Sequence, residues 1–369
     1  MTDDAVTDDA VTDGAVTEDA LSEDRAILDA VDQLLVPGQS RYTRAELARR
    51  AGIDPEDVRR FWRAMGFPDP PDDDAIFTDT DVAVLSGFDR FLRDDMVDRD
   101  VALQITRVVG QAMSRVAEAE VAAVRERLEA LGLIDDRSDE EISTAVVARS
   151  AALLPAIEAL LVYQWRRHLA AAAQRVVMAR RTEGDAGLAL TVGFADMVGF
   201  TALSQQLEER ELAQVVGRFE TLAYDAVAGH GGRVVKMIGD EVMFVAEEPA
   251  AAVEIGLTLA EAYGQDETVS DVRVGLAHGP VLGLEGDYFG PTVNLASRIV
   301  NIAYVGAVIV SSEIHARLAD DERFVLKAVR PRRLKGIGLT PLWVVRHPDQ
   351  SKRRLPEAVA ERMRARRER

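Results

Sequence analysis

The stretch FADMVGFTALS, residues 194–204, decides how the second half of this chain is read. It closes a run of β-forming apolar residues that begins at Leu188, places Asp196 at the end of the predicted strand, and turns through Gly199. A second stretch, RVVKMIGDEVMFVA from Arg233 to Ala246, reads as two strands joined by Gly239-Asp240. Two carboxylates at neighbouring strand ends, each near a glycine, can converge on a hard cation such as Mg²⁺, which keeps waters and phosphate oxygens as its remaining ligands. Asp and Gly are also ordinary turn residues, so each site taken singly is equally a bend in the backbone.

Outward from these two stretches the same β-rich composition returns at Val272–Ala277, Val281–Leu284, Ala307–Val310 and Leu342–Val345. Helical stretches alternate with them: Glu208–Ala228, Pro249–Tyr263 and Gly290–Ala303. Such alternation predicts an α/β sandwich around a central sheet. Upstream of Asp185 the periodicity is helical instead. Helices are expected near Ala26–Leu35, Thr43–Arg50, Asp54–Met65, Asp79–Arg93, Asp100–Leu131 and Asp139–Arg180. Thr43 with Glu46 has the form of a capping box, and Asp54-Pro55 that of an N-cap followed by the first helical residue.

The formal charge is −19, but it is unevenly distributed. Nine acidic and no basic side chains stand in the first 24 residues, in a five-residue repeat (MTDDA, VTDDA, VTDGA, VTEDA). One apolar residue in five cannot offset the entropy of ordering, so residues 1–22 are expected to be disordered. Lys352, Arg353, Arg354, Arg362, Arg364, Arg366, Arg367 and Arg369 give the far end the opposite sign. The chain has no cysteine, which excludes disulfides, thiolate metal sites and cysteine nucleophiles. Ala145–Trp165 is the most apolar long stretch, and Arg149, Pro155 and Glu158 break it. A cytoplasmic protein with no transmembrane segment is expected.

Four motifs stand in order over about 160 residues: FADMVGFT, KMIGDEVMF, VRVGLAHGPVLGLEGDYFGPTVNLASRI and LKGIG. Together they resemble the class III adenylyl and guanylyl cyclases. The resemblance implies a ferredoxin-like α/β sandwich and a cyclisation of ATP to cyclic AMP. It matches Asp196 and Asp240 to two metal-binding aspartates, which would take two divalent ions, Mg²⁺ or Mn²⁺, per site to activate the ribose 3′-hydroxyl and hold the phosphates. Lys236 matches the purine-reading lysine and Asp287 its aspartate partner. An ammonium donating to adenine N1 and a carboxylate accepting from the N6 amine suit adenine, whereas guanine inverts that edge. Asn294 and Arg298 lie four apart on one helix face. They match the asparagine that orients the ribose and the arginine that neutralises the α-phosphate in the transition state. Lys335 matches the lysine for the terminal phosphates, with Arg332 and Arg333 beside it as competitors for that role.

In this family two cyclase domains share each site, so a homodimer is implied. The expected organisation is α+β: an acidic tail at 1–22, an all-α regulatory domain at 23–168, a helical linker at 169–184, the cyclase domain at 185–348 and a basic tail at 349–369. His230, His278, His315 and His347 have no metal-ligand spacing. Residues 41–66 also have the form of a helix-turn-helix with Arg59, Arg60 and Arg63 on its second helix. Asp54, Glu56, Asp57, Asp69, Asp72, Asp73 and Asp74 crowd that segment and would repel phosphate, so no stable nucleic-acid complex is expected. Autoinhibition of the cyclase by the helical half is the expected regulation. The competing readings are a guanylyl cyclase, or a non-catalytic nucleotide-sensing DNA-binding regulator.

Overall fold

The computed structural model describes residues 31, 34–36, 38–93, 97–131, 139–182 and 188–348. The acidic repeat at 1–22, most of the helix expected at Ala26–Leu35, and the basic segment 349–369 lie outside the described residues. Two compact units divide between Ala173 and Gln174.

Helices make up the first unit: α1 (Arg44–Ala51), α2 (Pro55–Met65), α3 (Asp79–Arg93), α4 (Arg99–Ala130) and α5 (Asp139–Thr182), within which the division falls. The capping box forms: the Glu46 amide donates to Thr43 Oγ1 at 3.4 Å and the Thr43 amide to Glu46 Oε2 at 3.1 Å. Asp54 Oδ1 accepts from the Glu56 amide at 2.8 Å, and Pro55 opens α2 without leaving an amide unpaired. Leu47, Ala48, Val58, Phe61, Phe77 and Leu85 form the core beneath α1–α3. Burying each larger side chain of that set stabilises the fold by about 2 kcal/mol. Pro155 lies inside α5, and among the described residues no helix is long and apolar enough to cross a membrane.

The second unit contains the sheet. Its elements in order are β1 (Ala189–Met197), α6 (Phe200–Ser204), α7 (Glu209–Gly229), β2 (Arg233–Ile238), β3 (Glu241–Ala246), α8 (Pro249–Gln265), β4 (Val272–Pro280), β5 (Leu282–Leu284), β6 (Asp287–Phe289), α9 (Pro291–Val300), β7 (Val308–Val310), α10 (Ser312–Leu318), β8 (Val325–Leu334) and β9 (Gly338–Arg346). Seven strands pair in the order β2-β3-β1-β4-β7-β9-β8, and β5 with β6 makes a separate ribbon. All neighbours are antiparallel except β4 and β7.

Side-chain alternation divides the core in two. Ala195, Met197, Val242, Phe244, Val274 and Leu276 point to the face covered by α7, α8 and α10. Leu190, Val192, Phe194, Met243 and Ala277 point to the other face, against Ala296, Ile299 and Val300 of α9. Gly275 is what lets α9 come so close, since a Cβ there would stand 2.3 Å from the Val300 amide nitrogen. That contact fixes the helix that carries Asn294 and Arg298.

Strand β8 was absent from the sequence reading, for a physical reason. Its sequence VLKAVRPRRL carries four basic residues in ten, and Pro331 falls in a register irregularity between Val329 and Arg332. Both features belong to an edge strand, where proline costs no ladder bond and charge discourages further pairing. The three-residue strand β6 was too short to show an alternation.

Candidate active site

Strand register brings the first group of residues together. Asp196 is near the end of β1, opposite Glu241 of β3 on one side and Arg273 of β4 on the other. Asp240 occupies the β2–β3 turn, where Gly239 takes φ +63°, and its carbonyl accepts from the Met197 amide at 3.0 Å. Three carboxylates and one guanidinium thus share one end of the sheet. Arg273 Nε donates to Asp196 Oδ2 at 2.6 Å. Burial pushes the Asp240 carboxyl above the usual range, and the nearby Asp196 charge adds to this. Glu241 is pushed up to about 7, first by burial and then by the charges of Asp196 and Asp240. An excess of negative charge held at partial burial is what a cation would relieve.

The donor set fits hard divalent ions. Among the described residues no three His, Asp or Glu side chains form a ready-made cage. Two carboxylates that leave most positions to water and phosphate are how Mg²⁺ is commonly held.

A second group forms on the α9 face of the sheet. Lys236 of β2 donates its ammonium to Asp287 Oδ2 of β6, a pairing across 51 positions of sequence. The Tyr288 amide donates to the other oxygen, Asp287 Oδ1, at 2.8 Å, so the carboxylate is held from two sides. Arg233 Nη2 donates to Tyr288 Oη at 2.5 Å and steadies the ribbon that carries Asp287. Asn294 and Arg298 are exposed one turn apart on α9, and neither has a side-chain partner among the described residues.

Lys335 stands apart from both groups. It is exposed in the turn between β8 and β9. The rung next to Asp196 and Arg273 continues through Val274, Val308 and Val345 to Leu326, near the start of β8. Lys335 follows at the far end of that strand, roughly 25 Å along at the rise of a β-strand.

Of the sequence-predicted residues, then, Asp196 joins Asp240, Lys236 joins Asp287, and Asn294 and Arg298 share a helix face. Glu241 and Arg273 are additions to the first group. Glu241 adjoins Asp240 in the sequence and could have been suspected there. Arg273 reads as one more polar strand residue, and only the β1–β4 register sets it beside Asp196.

The helix-turn-helix arginines are differently placed. Arg59 pairs with Glu56 at 2.8 Å, Arg60 with Glu56 at 3.8 Å and Asp57 at 3.9 Å, and Arg63 with Asp69. Each is neutralised by the carboxylates that crowd the same segment.

Comparisons with known proteins show the family. Residues 187–347 match the family described as the adenylate and guanylate cyclase catalytic domain, and residues 8–169 match the adenylate cyclase regulatory domain. An adenylate cyclase of Glutamicibacter nicotianae is 35% identical over 328 residues, covering 85% of this chain and 81% of the relative. Another, from Streptomyces griseus, is 41% identical over 281 residues, covering 76% and 69%. The crystal structure of the adenylyl cyclase CyaB from P. aeruginosa is 25% identical with a TM-score of 0.38, covering 46% of this chain and 97% of that one. The chain belongs to the class III adenylate cyclases that carry an N-terminal helical regulatory domain. Enzymes of this family generally depend on divalent metal ions.

Proposed function

We propose that this enzyme converts ATP into 3′,5′-cyclic AMP and pyrophosphate at two equivalent sites of a homodimer. The ribose 3′-hydroxyl gives its proton to water or to the substrate's phosphate, its oxygen forms a bond to the α-phosphorus, the bond from that phosphorus to the bridging oxygen breaks, and pyrophosphate leaves. Asp196 and Asp240 would hold two Mg²⁺ or Mn²⁺ ions, which lower the pKa of the 3′-hydroxyl and offset phosphate charge. Lys236 donates to adenine N1 while Asp287 accepts from the N6 amine, and their mutual ion pair holds both before substrate arrives. Asn294 orients the ribose, Arg298 meets the charge that grows on the α-phosphate, and Lys335 binds the terminal phosphates.

The observation that carries the shared site is that Asp196 stands near the end of β1 in the middle of the sheet, whereas Lys335 follows the last residue of the edge strand β8. In this reading the two half-sites are completed by different copies of the chain. Exposed Leu282, Leu284 and Phe289 on the β5–β6 ribbon supply apolar surface for a second copy to cover. In this reading residues 23–168 form the regulatory domain, 169–184 a linker and 185–348 the catalytic domain, with the helical part restraining the cyclase.

Complementation tests the shared site. Asp196→Ala and Arg298→Ala chains are each expected to be inactive alone, and to regain cyclic AMP synthesis on mixing through one intact site per mixed dimer. No recovery, with dimers present by light scattering, would sink the proposal. A chain shortened to begin near Asp185 tests the restraint, and unchanged activity would remove it.

A further inference from the structure

We propose that Arg332, held by Tyr304, is a further substrate-binding residue of this enzyme, contacting the terminal phosphates of ATP and the departing pyrophosphate. The proposal rests on the reading of Lys335 as a phosphate-binding lysine and extends it to a residue with its own structural support.

Arg332 is on the same side of the sheet as α9. It pairs with Thr340 of β9 two residues before Leu334, whose buried side chain belongs to the α9-side core. Tyr304, four residues past the end of α9, accepts a hydrogen bond from Arg332 Nη2 at 2.5 Å. The guanidinium carbon lies 5.9 Å from the centroid of the same ring. The helix bearing Asn294 and Arg298, the Tyr304 loop and Arg332 therefore border one surface, and Lys335 follows at the tip of the hairpin.

Two features distinguish Arg332 from an ordinary surface arginine. In a chain of net charge −19 it has no carboxylate partner among the described residues, and its guanidinium is held by the Tyr304 phenol instead, whereas Arg60, Arg63 and Arg99 pair with carboxylates. A phenol neutralises nothing, so the charge remains available while its direction is fixed. Ordering a long side chain beforehand reduces the entropy lost when an anion binds. The register irregularity at Val329–Arg332, with Pro331 inside it, is also informative. Bulges re-aim side chains and are common beside active sites. A planar guanidinium matches phosphate oxygens in a bidentate manner that the neighbouring ammonium cannot. Arg333, next in sequence, pairs with Leu339 and points to the opposite side of the strand.

The test uses the full chain, measuring initial rates of cyclic AMP formation against ATP, and inhibition by added inorganic pyrophosphate. Arg332→Ala is expected to raise both the KM for ATP and the inhibition constant of pyrophosphate about tenfold, with kcat within about twofold, as for loss of one charge-assisted contact. Tyr304→Phe keeps the charge and loses its tether, so both constants should rise about threefold. The double variant should be no worse than Arg332→Ala, because the two side chains act as one unit. Arg333→Ala should leave both constants at wild type. Lys335→Ala, run in parallel, separates the two layers of the argument. If it weakens phosphate binding while Arg332→Ala does not, this inference fails alone; if neither does, the reading of Lys335 fails with it. Equal effects from Arg332→Ala and Arg333→Ala would reduce the role to diffuse charge and overturn the proposal. Should Arg332→Ala not fold, Tyr304→Phe decides, and unchanged constants there overturn it.

Discussion

Two regions of this chain use arginine in opposite ways: the surroundings of the helix-turn-helix segment and the α9 face of the cyclase unit. In the helical unit Arg44, Arg59, Arg60, Arg63 and Arg99 each meet a carboxylate, and buried Arg44 also donates to the Pro70 carbonyl at 2.8 Å. On the α9 face of the cyclase unit, Arg298 has no partner among the described residues and Arg332 has only a phenol. A guanidinium already paired with a carboxylate contributes to structure, and recruiting it to a phosphate would mean breaking that pair. One left without a counter-charge on a face beside an ion-paired lysine and aspartate is available to an anionic ligand. The contrast explains why the helix-turn-helix form of residues 41–66 need not imply nucleic-acid binding. Arg59, Arg60 and Arg63 of its second helix are each paired with nearby carboxylates.

Arg298→Ala should break the contrast most visibly. Removing an unpartnered transition-state cation is expected to lower kcat by about 10²–10³-fold, about 3–4 kcal/mol, and to leave the unfolding midpoint unchanged. A variant that loses stability instead would show that Arg298 has a structural role. Arg44→Ala should do the reverse. With the Pro70 carbonyl left without its donor and the buried stem of Arg44 removed, the first unit should lose about 2–3 kcal/mol in urea unfolding followed by circular dichroism. Equal stability would mean that water replaces the guanidinium without cost.

The smallest effect concerns a buried neutral group in the cyclase unit. His278 Nδ1 shares a 3.0 Å hydrogen bond with Thr191 Oγ1, and burial, followed by the Arg317 charge, holds the imidazole below its usual pKa. A lowered folded-state pKa favours the neutral ring. Its contribution is therefore complete above the unfolded value of about 6.5 and is lost as pH falls through the folded value. The unfolding midpoint of wild type should accordingly fall more steeply than that of His278→Asn between pH 7 and 5. Parallel slopes would remove His278 from the pH dependence.

Much of the catalytic unit was legible because its signals are local. Asp196 and Asp240 sit at predicted strand ends, Asn294 and Arg298 share one helix face by spacing, and the strands from β1 to β4 stand out as runs of β-forming apolar residues. Arg273 was not legible, since it lies 77 positions from Asp196 and nothing in its neighbours names that partner. Strand β8 was hidden by its charge and its proline, which an edge position tolerates and a central strand does not. Glu241 shows an intermediate case: its proximity to Asp240 was visible, but its raised pKa depends on burial that no local window reveals.

The sequence by itself determined the elements and the chemistry they carry, because helix and strand periods, caps and turn residues act over a few positions. It also determined the family, through four motifs in order. Only the tertiary structure decided the partnerships: Arg273 with Asp196, Lys236 with Asp287, and Arg332 with Tyr304. It also set Lys335 in the turn between the edge strand β8 and β9, away from β1. Contacts between residues distant in the chain are fixed by strand register and helix packing, which depend on the whole core at once.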